Sequence, residues 1–159
     1  MLISTTNLQE IKNQIQKAKK ANPEEIIIIK AGDEEFNRKV LEIKGVNIIL
    51  GPEIHNTNNR KDKMKQRDSG LNEFLCKLAA KNNIKIAIDV QEITSLPIIQ
   101  KAKALARVIQ NIKLCKRTKT QIILWPENKY KKQDIISFIT TLKGSTEQAK
   151  SKKQCAATQ

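Results

Sequence analysis

The sequence predicts an α/β chain built on parallel strands. Short apolar runs dominated by isoleucine alternate with amphipathic segments of helical period, and this strand-then-helix unit recurs four or five times. Consecutive strands that are each separated by a helix must lie parallel, joined by right-handed crossovers. Either a doubly wound sheet or a barrel satisfies that rule, and the pattern alone does not choose between them. At 159 residues and 39 % apolar content, one ordinary domain with a real core is expected.

Taken in order, residues 2–5 read as a brief strand. Residues 7–20 carry Leu8, Ile11, Ile15 and Ala18 at helical spacing, and Asn22-Pro23 breaks that helix. Residues 25–30 hold four consecutive isoleucines, a run that suits a strand buried on both faces. Asp33 caps a helix over 34–44, Gly45 stops it, and 46–50 is the next strand. Gly51-Pro52 opens a polar loop to Arg67, after which Ser69 starts a helix with Leu71, Phe74, Leu75 and Leu78 on one face. Residues 84–90 form a strand. Thr94, Ser95 and Pro97 are a helix-start signature, and the helix that follows has Ile98, Ala102, Leu105, Ile109 and Ile112 as its apolar stripe. Residues 121–125 make another strand, ended by Pro126, and residues 134–143 a last helix, stopped by Gly144. The domain therefore runs over 1–144. The remainder, 145–159, is Ser, Lys, Gln and Ala and is expected to be a mobile tail.

Thirty Lys and Arg stand against 16 Asp and Glu, a formal charge of +14. An excess of that size attracts polyanions. Nucleic acid, acidic lipid and an acidic protein are the candidate partners, with nucleic acid first. No apolar stretch reaches the length of a membrane span, and the N-terminus lacks the layout of a signal peptide, so no membrane partner is expected. Cys76, Cys115 and Cys155 are far apart in sequence and form no Cys-x-x-Cys pair. They read as reduced cytosolic thiols rather than a disulfide framework or zinc knuckle.

Two basic segments stand out. The loop ahead of the third helix carries Arg60, Lys61, Lys63, Lys65 and Arg67, with Asp62 the lone acid among them. It lies at the C-terminal side of the strands, where ligands bind in both candidate architectures, and it feeds a helix start at Ser69 and Gly70. Cationic side chains beside free helical N–H groups make a phosphate cradle; the competing reading is a solvated charged loop. The second segment, 101–119, holds Lys101, Lys103, Arg107, Lys113, Lys116, Arg117 and Lys119 and no acid. Lys103 and Arg107 are four apart and lie opposite the expected apolar stripe. Single-sign charge over this length points to a polyanion or an acidic protein. Asp68 and Asp89 are the best carboxylates for acid–base or magnesium chemistry, but the simpler reading is that Asp68 caps a helix and Asp89 is a loop acceptor. His55 is the single histidine, too few for a barrel metallohydrolase. Trp125 and Tyr130 could stack on bases, although Trp125 closes a strand and is more often core.

The segment Arg67-Asp68-Ser69-Gly70-Leu71-Asn72, followed by Leu75, Lys77-Leu78-Ala79-Ala80-Lys81 and a strand from Ile84, resembles archaeal ribonuclease P protein component 3. The helix from Ile98 and the segments Asp134-Ile135-Ile136-Ser137-Phe138 and Glu147-Gln148-Ala149-Lys150 resemble it in order and spacing. The likeness covers residues 40–152 well and 1–39 more loosely. It implies a TIM-barrel-like (β/α) fold, incomplete at the N-terminus because the family generally begins with a further strand–helix unit. It implies ribonuclease P RNA, ribonuclease P protein component 2, further protein subunits and precursor tRNA as partners, in the cytoplasm. The RNA would be the catalyst and would need the magnesium, and the protein would bind no cofactor and have no catalytic residues of its own. This chain departs from the family at Gln91-Glu92, where an Arg-Pro pair is frequent, so an RNA contact from that arginine is not inherited.

The expected RNA-binding set is therefore Arg60, Lys61, Lys63, Lys65, Arg67, Ser69, Gly70, Lys103 and Arg107. The alternatives are a general RNA-binding or ribosome-associated protein and a small barrel enzyme using Asp68 and Asp89. If the loop binds phosphates, replacing Lys61, Lys63, Lys65 and Arg67 together by glutamine flattens the salt dependence of RNA affinity by about one unit of log–log slope per lost contact. Filter binding across a salt series checks this, and an unchanged slope removes the loop from the interface.

Overall fold

Each isoleucine-rich run becomes a strand of one sheet. In the computed structural model, which describes residues 1–54, 62–63 and 67–149, five parallel strands lie in the order β1-β2-β3-β4-β5. They are β1 (Leu2–Ile3), β2 (Ile28–Lys30), β3 (Ile48–Leu50), β4 (Lys85–Asp89) and β5 (Ile122–Trp125). The register is continuous: Ile29 pairs with both Ile3 and Ile49, and Ile49 in turn with Ile86. The N-terminal strand does pair beside the isoleucine run, as Leu2↔Ile28 and Ile3↔Ile29.

The helices are α1 (Leu8–Ala21), α2 (Glu34–Leu41), α3 (Glu73–Lys81), α4 (Val90–Ser95), α5 (Ile98–Thr118), α6 (Lys132–Thr141) and α7 (Thr146–Ala149). Asn7, Asp33, Asn72 and Asp89 cap the first four, each accepting a backbone N–H of the first turn. The short α4 was not expected from the sequence. Within the segment assigned there to a mobile tail, Thr146–Ala149 form α7, which is anchored by Gln148 Nε2 donating to the Ile112 carbonyl at 2.9 Å. The rest of that tail lies outside the described residues.

The helices settle the choice between the two candidate architectures. Ile3, Ile27, Ile29, Ile49, Ile86, Ile88, Ile122 and Leu124 pack with Ile11 and Ile15 of α1, Val40 of α2, Leu75 of α3, Ile93 of α4, Val108 of α5 and Ile139 of α6 in one core. The residues between them, Ile28, Ile48, Leu50, Ala87 and Ile123, form a second cluster made of strand residues alone, with Trp125 against it. A doubly wound sheet would place helices on both faces. Consecutive strand order with every helix on one face is instead an arc of a (β/α) barrel, and the second cluster is its concave side. β1 and β5 each pair along one edge only.

Pleating makes the four isoleucines unequal. Ile27 and Ile29 are fully buried against the helices, Ile28 faces the concave side, and Ile26 is 54 % exposed. Ile29→Ala should therefore cost about 2–5 kcal/mol of unfolding free energy, while Ile26→Ala stays within about 0.5 kcal/mol. Urea unfolding of the two variants checks this, and equal losses would contradict the register.

Candidate nucleic-acid interface

Helix α5 presents polar groups inward. Its buried residues are Ala104, Arg107, Val108, Asn111, Ile112 and Cys115. The stripe expected from the sequence lies about one residue round the helix, and Ile98 and Ile99 are 84 % and 69 % exposed. Arg107 was expected on the outer face. That placement is corrected: it is fully buried. Its guanidinium donates to both carboxylate oxygens of Asp62, Nη2 to Oδ2 at 2.8 Å and Nε to Oδ1 at 3.3 Å, and Nη1 donates to the Glu53 carbonyl at 3.4 Å. A buried arginine is tolerable only with such a counter-charge, and the bidentate fork is its best geometry.

The neighbouring amides fix the Asp-Ser-Gly segment in the same way. Gln110 accepts from the Arg67 N–H and donates to the Arg67 carbonyl, both at 2.7 Å, and donates to Ser69 Oγ at 3.1 Å. Asn111 donates to the Ser69 carbonyl at 3.4 Å. From the other side Asn37 donates to the Gly70 carbonyl at 3.0 Å. Gly70 sits at φ +74°, a left-handed turn that a side chain would strain. Ser69 and Gly70 are consequently interior. The phosphate cradle expected there is corrected: α3 begins at Glu73, and its cap is Asn72, which accepts from Leu75 N–H at 2.8 Å. Asp68 is exposed and its N–H donates to Asp62 Oδ1 at 2.9 Å, so it is not the cap.

At the mouth, Lys30, Asp89 and Trp125 follow the concave residues at the C-terminal ends of their strands. Asp89 Oδ1 accepts from Glu92 N–H at 2.9 Å, which commits it to capping α4. Glu92 in turn pairs with Lys30 at 3.0 Å. Tyr130 lies close by; burial and then the Asp89 charge push its hydroxyl above the usual range. Among the described residues no group of three His, Cys, Asp or Glu could hold a metal, and no helix is long and apolar enough to cross a membrane. Cys76 of α3 and Cys115 of α5 are buried free thiols. They hydrogen-bond each other, and that contact with complete burial pushes Cys115 well up.

Exposed cations lie on the helical side as well as at the strand ends, where Lys30, Lys129, Lys131 and Lys132 are exposed. Lys63 and Lys103 are exposed, and Arg67 is half-buried; Arg60, Lys61 and Lys65 lie outside the described residues. Lys113, Lys116, Arg117 and Lys119 are all exposed at the C-terminal half of α5, and Lys77 and Lys81 on α3 beside it. Glu73 bridges the two helices, pairing with Arg117 at 2.9 Å and Lys77 at 3.0 Å. Phe74, expected in the core, is 60 % exposed. The small residues Cys76 and Ala79 take the buried face of α3 with Leu75, which turns Phe74 outward. A cleft of about 520 Å³ on the same helical side separates α1 from α2 and is lined by Leu8, Lys12, Ile15, Lys39 and Ile43.

Arc, capped mouth and cationic helices together define an α/β protein of the (β/α)-barrel class with a cluster of exposed cations on α3 and α5. No family model matches the sequence. The proteins it is similar to are named ribonuclease P protein component 3. One from Methanococcus maripaludis strain C6 is 28 % identical over 122 residues, 77 % of this chain and 47 % of the relative. One from Methanocaldococcus jannaschii is 25 % identical over 145 residues, 88 % of this chain and 57 % of the relative. The chain spans about half the length of the curated relatives it matches. Among solved structures, a chain of a cryo-EM structure of archaeal ribonuclease P with mature tRNA superposes with a TM-score of 0.72 at 23 % identity, over 94 % of this chain and 61 % of that one. The crystal structure of an uncharacterized protein gives 0.56 at 11 %, over 88 % of this chain and 34 % of that one. The resemblance and the fold class read from the sequence are thus both borne out.

The buried ion pair has a pH signature. Partial burial pushes the Asp62 carboxyl up, but the Arg107 guanidinium and the Asp68 N–H outweigh it, so the group lies below its ordinary value. Its contribution is complete above the unfolded value of about 3.9 and is lost as pH falls through the folded one. Arg107→Ala should cost about 1.5–3 kcal/mol near neutral pH, by removing the charged hydrogen bonds that join α5 to Asp62. Asp62→Asn should be destabilised at neutral pH and should lose stability less steeply than the parent below about pH 4. Denaturant unfolding across pH checks both, and parallel acid limbs would place the pair outside the stability of the fold.

Proposed function

We propose that the chain is an RNA-binding protein subunit of ribonuclease P that supports RNA-catalysed removal of the 5′ leader from precursor tRNA. The observation that carries this reading is the similarity to ribonuclease P protein component 3 along most of the chain. The chemistry of the molecule supports it. A charge of +14 is suited to a phosphate polymer. Lys103, Lys113, Lys116 and Lys119 offer that charge to solvent along one long helix. The strongest carboxylate at the mouth, Asp89, is engaged in a cap. In this reading the protein contributes binding and the RNA contributes catalysis, with magnesium held by the RNA. Its partners are ribonuclease P RNA, protein component 2 with further protein subunits, and precursor tRNA as the substrate of the complex, in the cytoplasm.

Cleavage of precursor tRNA with and without the cognate RNA separates this reading from its competitors. A ribonuclease P subunit changes the rate or the magnesium requirement only when the RNA is present. A barrel enzyme cleaves alone, and a general RNA binder changes neither. Within the reconstituted complex, Asp68→Asn and Asp89→Asn should each keep cleavage within roughly tenfold of the parent, about 1.4 kcal/mol, since asparagine also caps a helix in the place of Asp89 and Asp68 is exposed. A loss of about a thousandfold at saturating magnesium, with folding intact, would return the chemistry to these carboxylates.

A further inference from the structure

The exterior of α3 carries one feature that the reading above does not use. Phe74 is a lone exposed ring among cations. Among the described residues the other large exposed apolar ones are Met1, Leu2 and Ile26 around β1, and Ile98 and Ile99 at the start of α5. Eighteen residues of helix, roughly 27 Å, separate Ile99 from Arg117, and it is Arg117 that reaches α3, pairing with Glu73 beside Phe74. Lys77 and Lys81 share the exposed stripe of Phe74, three and seven residues on. On α5, Gln110, Lys113 and Arg117 form a second stripe. Gln110 touches Arg67 and Ser69 and Arg117 touches Glu73, so this stripe runs along the chain entering α3, with Lys113 exposed between them.

We propose that Phe74, with Lys77, Lys113 and Arg117, forms a stacking and phosphate-binding platform for a single-stranded stretch of RNA. A protein partner would need a contiguous apolar centre, and lysine is depleted at such interfaces. A base needs one ring to stack on, and its flanking phosphates need the cations that surround this ring. Duplex RNA keeps its bases stacked inside and has no use for an exposed aromatic. Glu73 holds Lys77 and Arg117 on either side of itself in the free protein. Exposed pairs of this kind contribute little, so phosphates can take over both cations.

The proposal rests on RNA being the partner, and its test separates the two claims. Fluorescence anisotropy with the full chain compares a dye-labelled single-stranded oligouridylate, about ten nucleotides long, with an RNA hairpin of equal length whose two strands are joined by a non-nucleotide linker, so that it has no unpaired bases. Phe74→Ala should weaken the single strand roughly 5- to 150-fold and leave the hairpin unchanged, while Phe74→Tyr retains both. Because the ring is exposed, its removal should leave the melting temperature near that of the parent. If Phe74→Ala binds the single strand like the parent while Lys113→Gln with Arg117→Gln loses it, RNA binding stands and the platform is overturned. Equal weakening of strand and hairpin overturns it as well. If Phe74→Ala instead abolishes self-association in sedimentation and leaves RNA affinity intact, the surface belongs to a second copy. If the parent chain binds neither RNA, the reading as an RNA-binding subunit fails first.

Discussion

A guanidinium with no access to water is the constraint from which the surface of this protein follows. Arg107 sits in the middle of α5 on its inward side, fully buried, and the fold must bring it a carboxylate. Asp62 supplies that carboxylate from the far end of the basic loop, which draws the following segment down onto α5. There Gln110 and Asn111 take up its backbone groups, and Asn37 closes it from α2. The entry of α3 is thereby set. Cys76 meets Cys115, and Thr120 Oγ1 donates to the Cys76 carbonyl at 2.7 Å. The same rotation of α3 that buries Cys76 and Ala79 turns Phe74 to water. A buried ion pair of this kind is weak evidence for extra stability, because desolvation cancels much of the attraction.

This explains which parts of the structure were legible in the sequence. The sheet was legible because burial on both faces leaves an unmistakable record, in runs such as Ile27-Ile28-Ile29 and Ile48-Ile49-Leu50. The caps at Asn7 and Asp33 were legible for a local reason: a short polar side chain bonds the turn that follows it. The face of α5 was not. Hydrophobic periodicity assigns Arg and Asn to the outside, and here Arg107 and Asn111 point in because partners dozens of residues away pay for them. The same blindness misplaced Ser69, Gly70 and Phe74. Ser69 looked like a cap because it precedes an apolar run, whereas the carbonyls at 69 and 70 are held by α5 and α2 and the helix waits for Asn72. The signal that could have found this was the cluster Asn37, Arg107, Gln110 and Asn111, side chains costly to leave inside a core without purpose.

The choice between barrel and doubly wound sheet was also out of reach of the pattern. Both give strand–helix alternation, and they differ only in which face each helix covers. The structure shows that difference in its side chains: the concave cluster holds no helical residue. Such an interior is filled rather than hollow. Ile28, Ile48, Leu50, Ala87 and Ile123 are each at most 5 % exposed, which leaves the strand ends, the free edges of β1 and β5 and the helical exterior as the places where a large partner can be met.

Charge is present both at the strand ends, where Lys129, Lys131 and Lys132 follow β5 exposed, and on the exterior. At the mouth Lys30 is answered by Glu92, and Asp89 by a backbone N–H. On the C-terminal half of α5, Lys113, Lys116 and Lys119 join Arg117 with a single carboxylate, Glu73, set against them from α3. Fields from charges on one face add, and they extend about a Debye length, roughly 8 Å at physiological salt, before screening removes them. Side chains clustered within two turns of helix therefore act on an approaching polyanion together, whereas a pair such as Lys30 with Glu92 largely cancels. Long-range attraction of this kind sets encounter rate and affinity but carries no orientation. An exposed ring on the same surface can supply the orientation that charge lacks, and Phe74 is turned to that surface because Leu75, Cys76 and Ala79 take the buried face of α3.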